Sequence, residues 1–208
     1  MLISNFGDLK AVLSKYMFHA RQAPDYDLMA SNFERSANRR LRVRQMEAMT
    51  LLTTVNGEAS LPDDYLTWRT VLPVDRTRYP TSSAEMDYVH PAYLPTIRND
   101  TCAFLFAIEG AKFKTRPIND AVGAYELHYY QKIPTITAGG DLATNWLLIE
   151  HPDAYEFGCV TELAAIGRNA EMAQLYKARR DEVLAEITQL SALTTGPTSP
   201  AVRTAEYY

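Results

Sequence analysis

The chain has 208 residues, 47% of them hydrophobic and 22% charged, with a net charge of −4. That is material for one domain, or for a core with one elaborate insertion, and it disfavours general nucleic-acid coating, which needs a basic surface. No apolar run approaches the eighteen or so residues of a membrane span, the start MLISNFGDLK lacks a signal-peptide pattern, and Cys102 and Cys159 have no Cys/His cluster near them, so the protein is expected to be cytosolic when made, with both cysteines as thiols.

Residues 1–44 are expected to be helical. Phe6, Leu9, Val12, Leu13, Tyr16 and Met17 form one stripe, Pro24-Asp25 marks a turn, and a second helix from Tyr26 to Arg44 carries Leu28, Met29, Phe33 and Ala37 on one side. From Met46 the texture changes to strands. Asn56-Gly57 signals a hairpin between MEAMTLLTTV and GEAS, and Pro62 stops the return strand. In YLTWRTVL, alternation sets Leu66, Trp68, Thr70 and Leu72 against Tyr65, Thr67, Arg69 and Val71. CAFLFAIEGAKFKTRP reads as a second hairpin turning at Glu109-Gly110. AYELHYYQKI puts Tyr125, Leu127 and Tyr129 on one face and ends near Pro134, which cannot donate to a ladder. Between the hairpins, 73–100 is a long loop with four prolines and a short helix expected near Ala84 to Tyr88.

After Gly139-Gly140 helices return. Asp141 is expected to cap Leu142 to Glu150, Pro152 to open the next helix through Tyr155, Cys159, Val160, Leu163 and Ile166, and Asn169 to cap a last one reaching Leu193. In that last helix Met172, Leu175, Tyr176, Val183, Leu184, Ile187 and Leu190 are expected to share a side. The expected fold class is α+β: a helical bundle formed by N- and C-terminal helices, with an inserted antiparallel β-rich domain and an extended C-terminal tail. Its parts are 1–44, 45–137, 138–194 and 195–208.

A search for chemistry finds no phosphate-cradling loop, no metal-ligand spacing among His19, His90, His128 and His151, and no nucleophile elbow. Asp63-Asp64 reads as a turn, and Glu150-His151-Pro152-Asp153 as a helix end followed by a helix start. No catalytic residue, cofactor site or metal site is expected. One charge feature stands out: Arg35, Arg39, Arg40, Arg42 and Arg44 crowd ten residues. On a continuing helix Arg39 and Arg42 share one face and Arg40 and Arg44 another. Two readings stay open, a solvated helix end or a contact with phosphates or an acidic partner.

Three blocks carry a resemblance: LPDDYLTWRTVL (Leu61 to Leu72), YELHYYQKIPTIT (Tyr125 to Thr137) and NWLLIEHPDAYEFGCVTELAAIGRNAEMAQLY (Asn145 to Tyr176). In order and spacing they resemble the head–tail adaptor, or connector, proteins of tailed bacteriophages, over about 120 residues. Thr135-Ile136-Thr137 stands where that pattern has a leucine after the proline, and Phe157 replaces a commoner Tyr or Leu. The resemblance implies a structural virion protein of the neck, made in the host cytoplasm. It implies a homo-oligomeric ring, usually of twelve copies, beneath the portal protein, meeting the next neck or tail protein and letting double-stranded DNA pass without sequence specificity. No membrane partner is implied. Under it, Arg203, Glu206, Tyr207 and Tyr208 in the tail are candidates to dock on the portal. Tyr79, Tyr88 and Tyr93 are candidates to meet a neighbour or the tail, and the arginines to line the DNA channel or meet an acidic partner. Tyr129, Tyr130, Trp146 and Tyr155 are candidates for the joint between bundle and β-rich wing. The alternatives are a tail-tube or tail-terminator component, and a DNA-binding module built on Arg35 to Arg44.

Overall fold

The structure, a computed structural model, describes residues 3–16, 25–74, 85–97, 104–116 and 122–195. The fold is α+β, and the chain divides into two compact units: Met1–Gln45 with Ile133–Tyr208, and Met46–Lys132.

The first unit is helical. Helix α1 (Phe6–Leu13) starts where the Asn5 side chain accepts from the Asp8 backbone N–H, and α2 (Tyr26–Arg40) where Asp25 accepts from that of Leu28. Phe6, Leu9 and Leu13 of α1, and Met29, Phe33 and Ala37 of α2, are buried, whereas Leu28 is 51% exposed and so leaves the stripe assigned to it. Helix α2 also stops four residues earlier than the spacing predicts. Leu41 turns extended (φ −81°, ψ 134°) so that it and Val43 reach the core, and the burial of these two apolar side chains outweighs another turn of helix.

In the C-terminal half, Asp141 does not cap a helix. Thr137–Leu142 forms a 3-10 turn, and Asn145 caps the short helix α3 (Trp146–Glu150) by accepting from the Leu148 N–H. His151 separates α3 from α4 (Pro152–Ile166), which opens on its proline. Ala154, Tyr155, Gly158, Cys159, Val160 and Leu163 are buried around most of α4, as befits a central helix, and it packs on α1, α2, α3 and α5. The chain reverses at Gly167 and Arg168 (φ 55°), and Asn169 caps α5 (Ala170–Thr195) through the Met172 N–H. Tyr176, Leu184 and Ile187 are buried, but Leu175 and Leu190, expected beside them, are 46% and 57% exposed, as is Ile166 of α4 at 61%.

The second unit is a curled sheet. Its strands are β1 (Glu47–Val55), β2 (Glu58–Ser60), β3 (Tyr65–Pro73), β4 (Asp87–Tyr88), β5 (Leu105–Glu109), β6 (Lys112–Arg116) and β7 (Val122–Gln131), in the order β3-β7-β1-β2-β6-β5-β4. Asn56 (φ 52°) and Gly57 (φ 77°) make the expected tight turn; two left-handed residues in succession match the twist of the flanking strands. The second hairpin turns one residue later than predicted. Glu109 pairs with Lys112, so Gly110 (φ 60°) and Ala111 are its corner. The sheet is mixed rather than antiparallel throughout: Asp87–Tyr88, where a short helix was expected, pairs parallel with β5. Tertiary pairing overrides local preference in so short a segment.

Register shifts at Tyr65/Thr67 and Trp68/Thr70 break the alternation predicted for β3. Trp68 therefore sits opposite Tyr129 and Val71 opposite Leu127, and Tyr65, Trp68 and Val71 all pack on the same core. The edges then meet. Met86 donates its N–H to the Val71 carbonyl at 3.0 Å, and Trp68 stacks on Tyr88 at 5.6 Å. Joining the edges in this way shields them from pairing with other chains. The interior holds Leu52, Phe106, Phe113, Tyr125, Leu127 and Tyr129. The alternation read from β7 is the one observed.

Candidate functional site

The segment Ile133 to Asn145, which follows the last strand, is held by a buried polar network that the sequence does not announce. Two side chains one turn apart on α2 receive it: Asn38 accepts from the Ile133 N–H and Glu34 from the Ile136 N–H, both at 2.9 Å. Asn145 donates to the Pro134 carbonyl (2.7 Å) and to the Tyr155 hydroxyl (2.6 Å), and that hydroxyl donates to Glu34 Oε1 (2.9 Å). Each member answers another's need for a partner, because a buried polar group left alone costs more than a made hydrogen bond returns. Burial first, and the Glu34 carboxylate second, push the Tyr155 hydroxyl well above the usual tyrosine range; burial does the same to the Cys159 thiol. Both groups are held uncharged in a packed interior, and the Tyr155 hydroxyl serves there as a donor. Their chemistry is positioning.

The arginines lie differently from the prediction because α2 ends at Arg40. Arg42 folds back, its Nη1 donating to the Asn38 and Leu41 carbonyls at 2.7 and 2.5 Å, where a cation is favoured at a helix C-terminus. Arg40 meets Asp181 of α5 at 2.5 Å, and Arg180 holds the same carboxylate oxygen at 2.7 Å. Burial raises the Asp181 pKa, but its hydrogen bonds from Arg180 and Arg40 outweigh this and hold it below the ordinary carboxylate value. Arg35 and Arg39, four apart on α2, are exposed on one face, and Arg44 is exposed beyond the helix. The same-face pair is thus Arg35 and Arg39.

Of the aromatic candidates, Tyr88 is engaged with Trp68 and Phe106, although 43% exposed, while Tyr93 is 66% exposed beside His90. Tyr79 lies outside the described residues, as do Arg203, Glu206, Tyr207 and Tyr208. Tyr129 belongs to the interior of the sheet unit. It donates to Asp64 at 3.0 Å, and burial, with Asp64 second, pushes it up to about 12. Tyr155 belongs to the interior of the helical unit, against Phe33 with ring centroids 4.7 Å apart. Tyr130 and Trp146 are half-buried.

The sheet's outer face presents a second surface. Met49, Leu51 and Val55, alternate residues of β1, are 57%, 61% and 59% exposed. Beside them is a cleft of about 470 Å³ lined by Met49, Leu72, Thr70 and His128, with the Glu47–Arg69 ion pair at its rim. Among the described residues no three His, Cys, Asp or Glu side chains gather as a metal-binding set, and no helix is long and apolar enough to cross a membrane. What the arrangement offers is surface: a charged helical face, an apolar strand face and exposed aromatics.

Comparison with curated proteins yields no match. The family model described as SU10 adaptor protein matches residues 4–203, nearly the whole chain. The chain belongs to the SU10 adaptor protein family, a family of phage head–tail adaptors, and its role is that of a structural virion protein.

Proposed function

We propose that the protein is a subunit of a ring, usually of twelve copies, seated beneath the portal protein in the virion neck. It joins the DNA-filled capsid to the next neck or tail protein and lets DNA pass. The observation that carries this reading is the family match across residues 4–203. The surfaces support it in kind: exposed apolar side chains on a folded sheet and exposed charges on a helix suit a protein that meets neighbours. In this reading the helical unit builds the ring and the sheet unit faces the tail. Arg203, Glu206, Tyr207 and Tyr208 dock on the portal, and Tyr93 contacts a neighbour or the tail.

The arginine segment fits passing DNA poorly as a grip. Arg40 is committed to Asp181 and Arg42 to backbone carbonyls, and the negative end of α2 points the same way. The test is binding of the purified chain to DNA-filled heads that lack it, comparing full-length protein with a version ending at Thr195. Saturable binding that disappears with the tail is expected. Binding that survives truncation moves the portal contact to the helical unit. Absence of binding to heads by either version, with avid binding to free DNA that falls steeply with salt, overturns the adaptor role in favour of a DNA-binding module.

A further inference from the structure

Helices α2 and α5 each turn away from the core a row of side chains with the same spacing. On α2 the row is Leu28, Arg35 and Arg39; on α5 it is Leu175, Glu182 and Glu186. All six are exposed, the two leucines by 51% and 46%. Residues i, i+7 and i+11 fall within about 40° of one another on a helix, at heights of roughly 10 and 16 Å above the first. The two rows are therefore superimposable, leucine on leucine and arginine on glutamate at both charged positions.

Among the described residues, none of the four charged side chains takes part in an ion pair. The cations nearest Glu182 in sequence are engaged elsewhere: Arg180 holds Asp181, and Arg179 lies over the rings of Phe157 and Tyr176. Flanking the α5 row on one side are Ala178 and Ala185, both exposed and small enough to let another helix approach, and on the other is Arg179, whose guanidinium lies over those rings.

We infer that α2 of one copy docks parallel to α5 of the next, placing Leu28 against Leu175, Arg35 against Glu182 and Arg39 against Glu186. The inference rests on the ring reading and gives that ring its subunit contact. Each copy carries one row of each kind, so the contact is heterologous and repeats from copy to copy until it closes. Charge decides the occupant: DNA would be repelled by Glu182 and Glu186, whereas a second copy uses both rows. Orientation follows from the leucines. In antiparallel docking the charges still pair, but Leu28 and Leu175 lie at opposite ends of the contact.

The test uses full-length chains and heads lacking the adaptor, with copies bound per head as readout. Arg35→Glu/Arg39→Glu is expected to lower occupancy about tenfold or more, since like charges then face each other. Adding Glu182→Arg/Glu186→Arg to the same chain is expected to restore it. Unchanged occupancy in the first variant, or no recovery in the second with wild-type folding by circular dichroism, overturns the contact. A second measurement keeps the contact separate from the adaptor role. Two chains of different size in a Cys102→Ser background, one Arg35→Cys and the other Glu182→Cys, are mixed and oxidised at high concentration in solution. The buried Cys159 stays silent. A disulfide between the two sizes supports the contact even if wild-type protein fails to bind heads, which would sink the adaptor role alone. A disulfide formed only by Arg35→Cys with Glu186→Cys overturns the parallel register, and none in either mixture overturns the contact.

Discussion

At Gly158, α4 cannot carry a side chain. A Cβ built there would lie 2.1 Å from Phe33 Cδ2 and 2.6 Å from Cγ, so the ring of α2 rests directly on the backbone of α4. Phe33 is itself buried and packed edge-on against Tyr155, which opposes its moving aside. Gly158→Ala is expected to destabilise the helical unit by about 1–3 kcal/mol through overpacking, despite alanine's better helix propensity, and chemical denaturation read by circular dichroism checks it. One turn away, Tyr155→Phe leaves Glu34 and Asn145 each short of a buried partner, at a cost of about 1–3 kcal/mol at neutral pH. The same substitution changes the pH profile. Because the folded-state pKa of Tyr155 is raised, its stabilising share is present below the unfolded value of about 10 and is lost as pH rises above it. Stability measured from pH 8 to 12 should fall less steeply in Tyr155→Phe. It still falls, since Tyr16, Tyr65 and Tyr129 are raised as well.

At the scale of elements, Asn145 does two tasks at once: it caps α3 and ties that helix to Pro134 and Tyr155. Asn145→Asp keeps the cap but loses both donated bonds and sets a second carboxylate near Glu34. It is expected to destabilise more than an ordinary cap change of about 1 kcal/mol, whereas Asn5→Asp, at the half-buried start of α1, where the side chain only accepts, stays near zero. Paired urea titrations decide between them. Elements with a local cause were legible in the sequence: the Asn56-Gly57 turn, the alternation of β7, the proline opening α4 and the Asn169 cap all follow from nearest neighbours. Elements set by distant partners were not. The early end of α2 depends on core space for Leu41 and Val43, the β3 bulges on the pairing of Trp68 with Tyr129, and β4 on β5. The polar network fell in the same gap. Glu34 beside Arg35 reads as one more surface charge, and only its place at the edge of the Ala30–Phe33–Ala37 stripe hinted at burial.

At the scale of the whole molecule, the chain builds two cores from separate residue sets. The sheet interior is drawn from Leu52 to Tyr129, and the helical interior from residues before Gln45 and after Ile133. The chain passes between the units twice, at Gln45–Met46 and at Lys132–Ile133. Phe113 is fully buried at the centre of the sheet cluster, stacked on Phe106 and tilted against Tyr125. Phe113→Ala removes that ring at a cost of about 3–5 kcal/mol. If each core is its own cooperative unit, hydrogen exchange should quicken at the amides of β1, β6 and β7 while α2 and α4 keep wild-type protection. Gly158→Ala should do the reverse. Equal loss in both places would mean that the two units share one unfolding transition. In the ring proposed above, the first arrangement would let the sheet unit loosen while the helical unit keeps its fold.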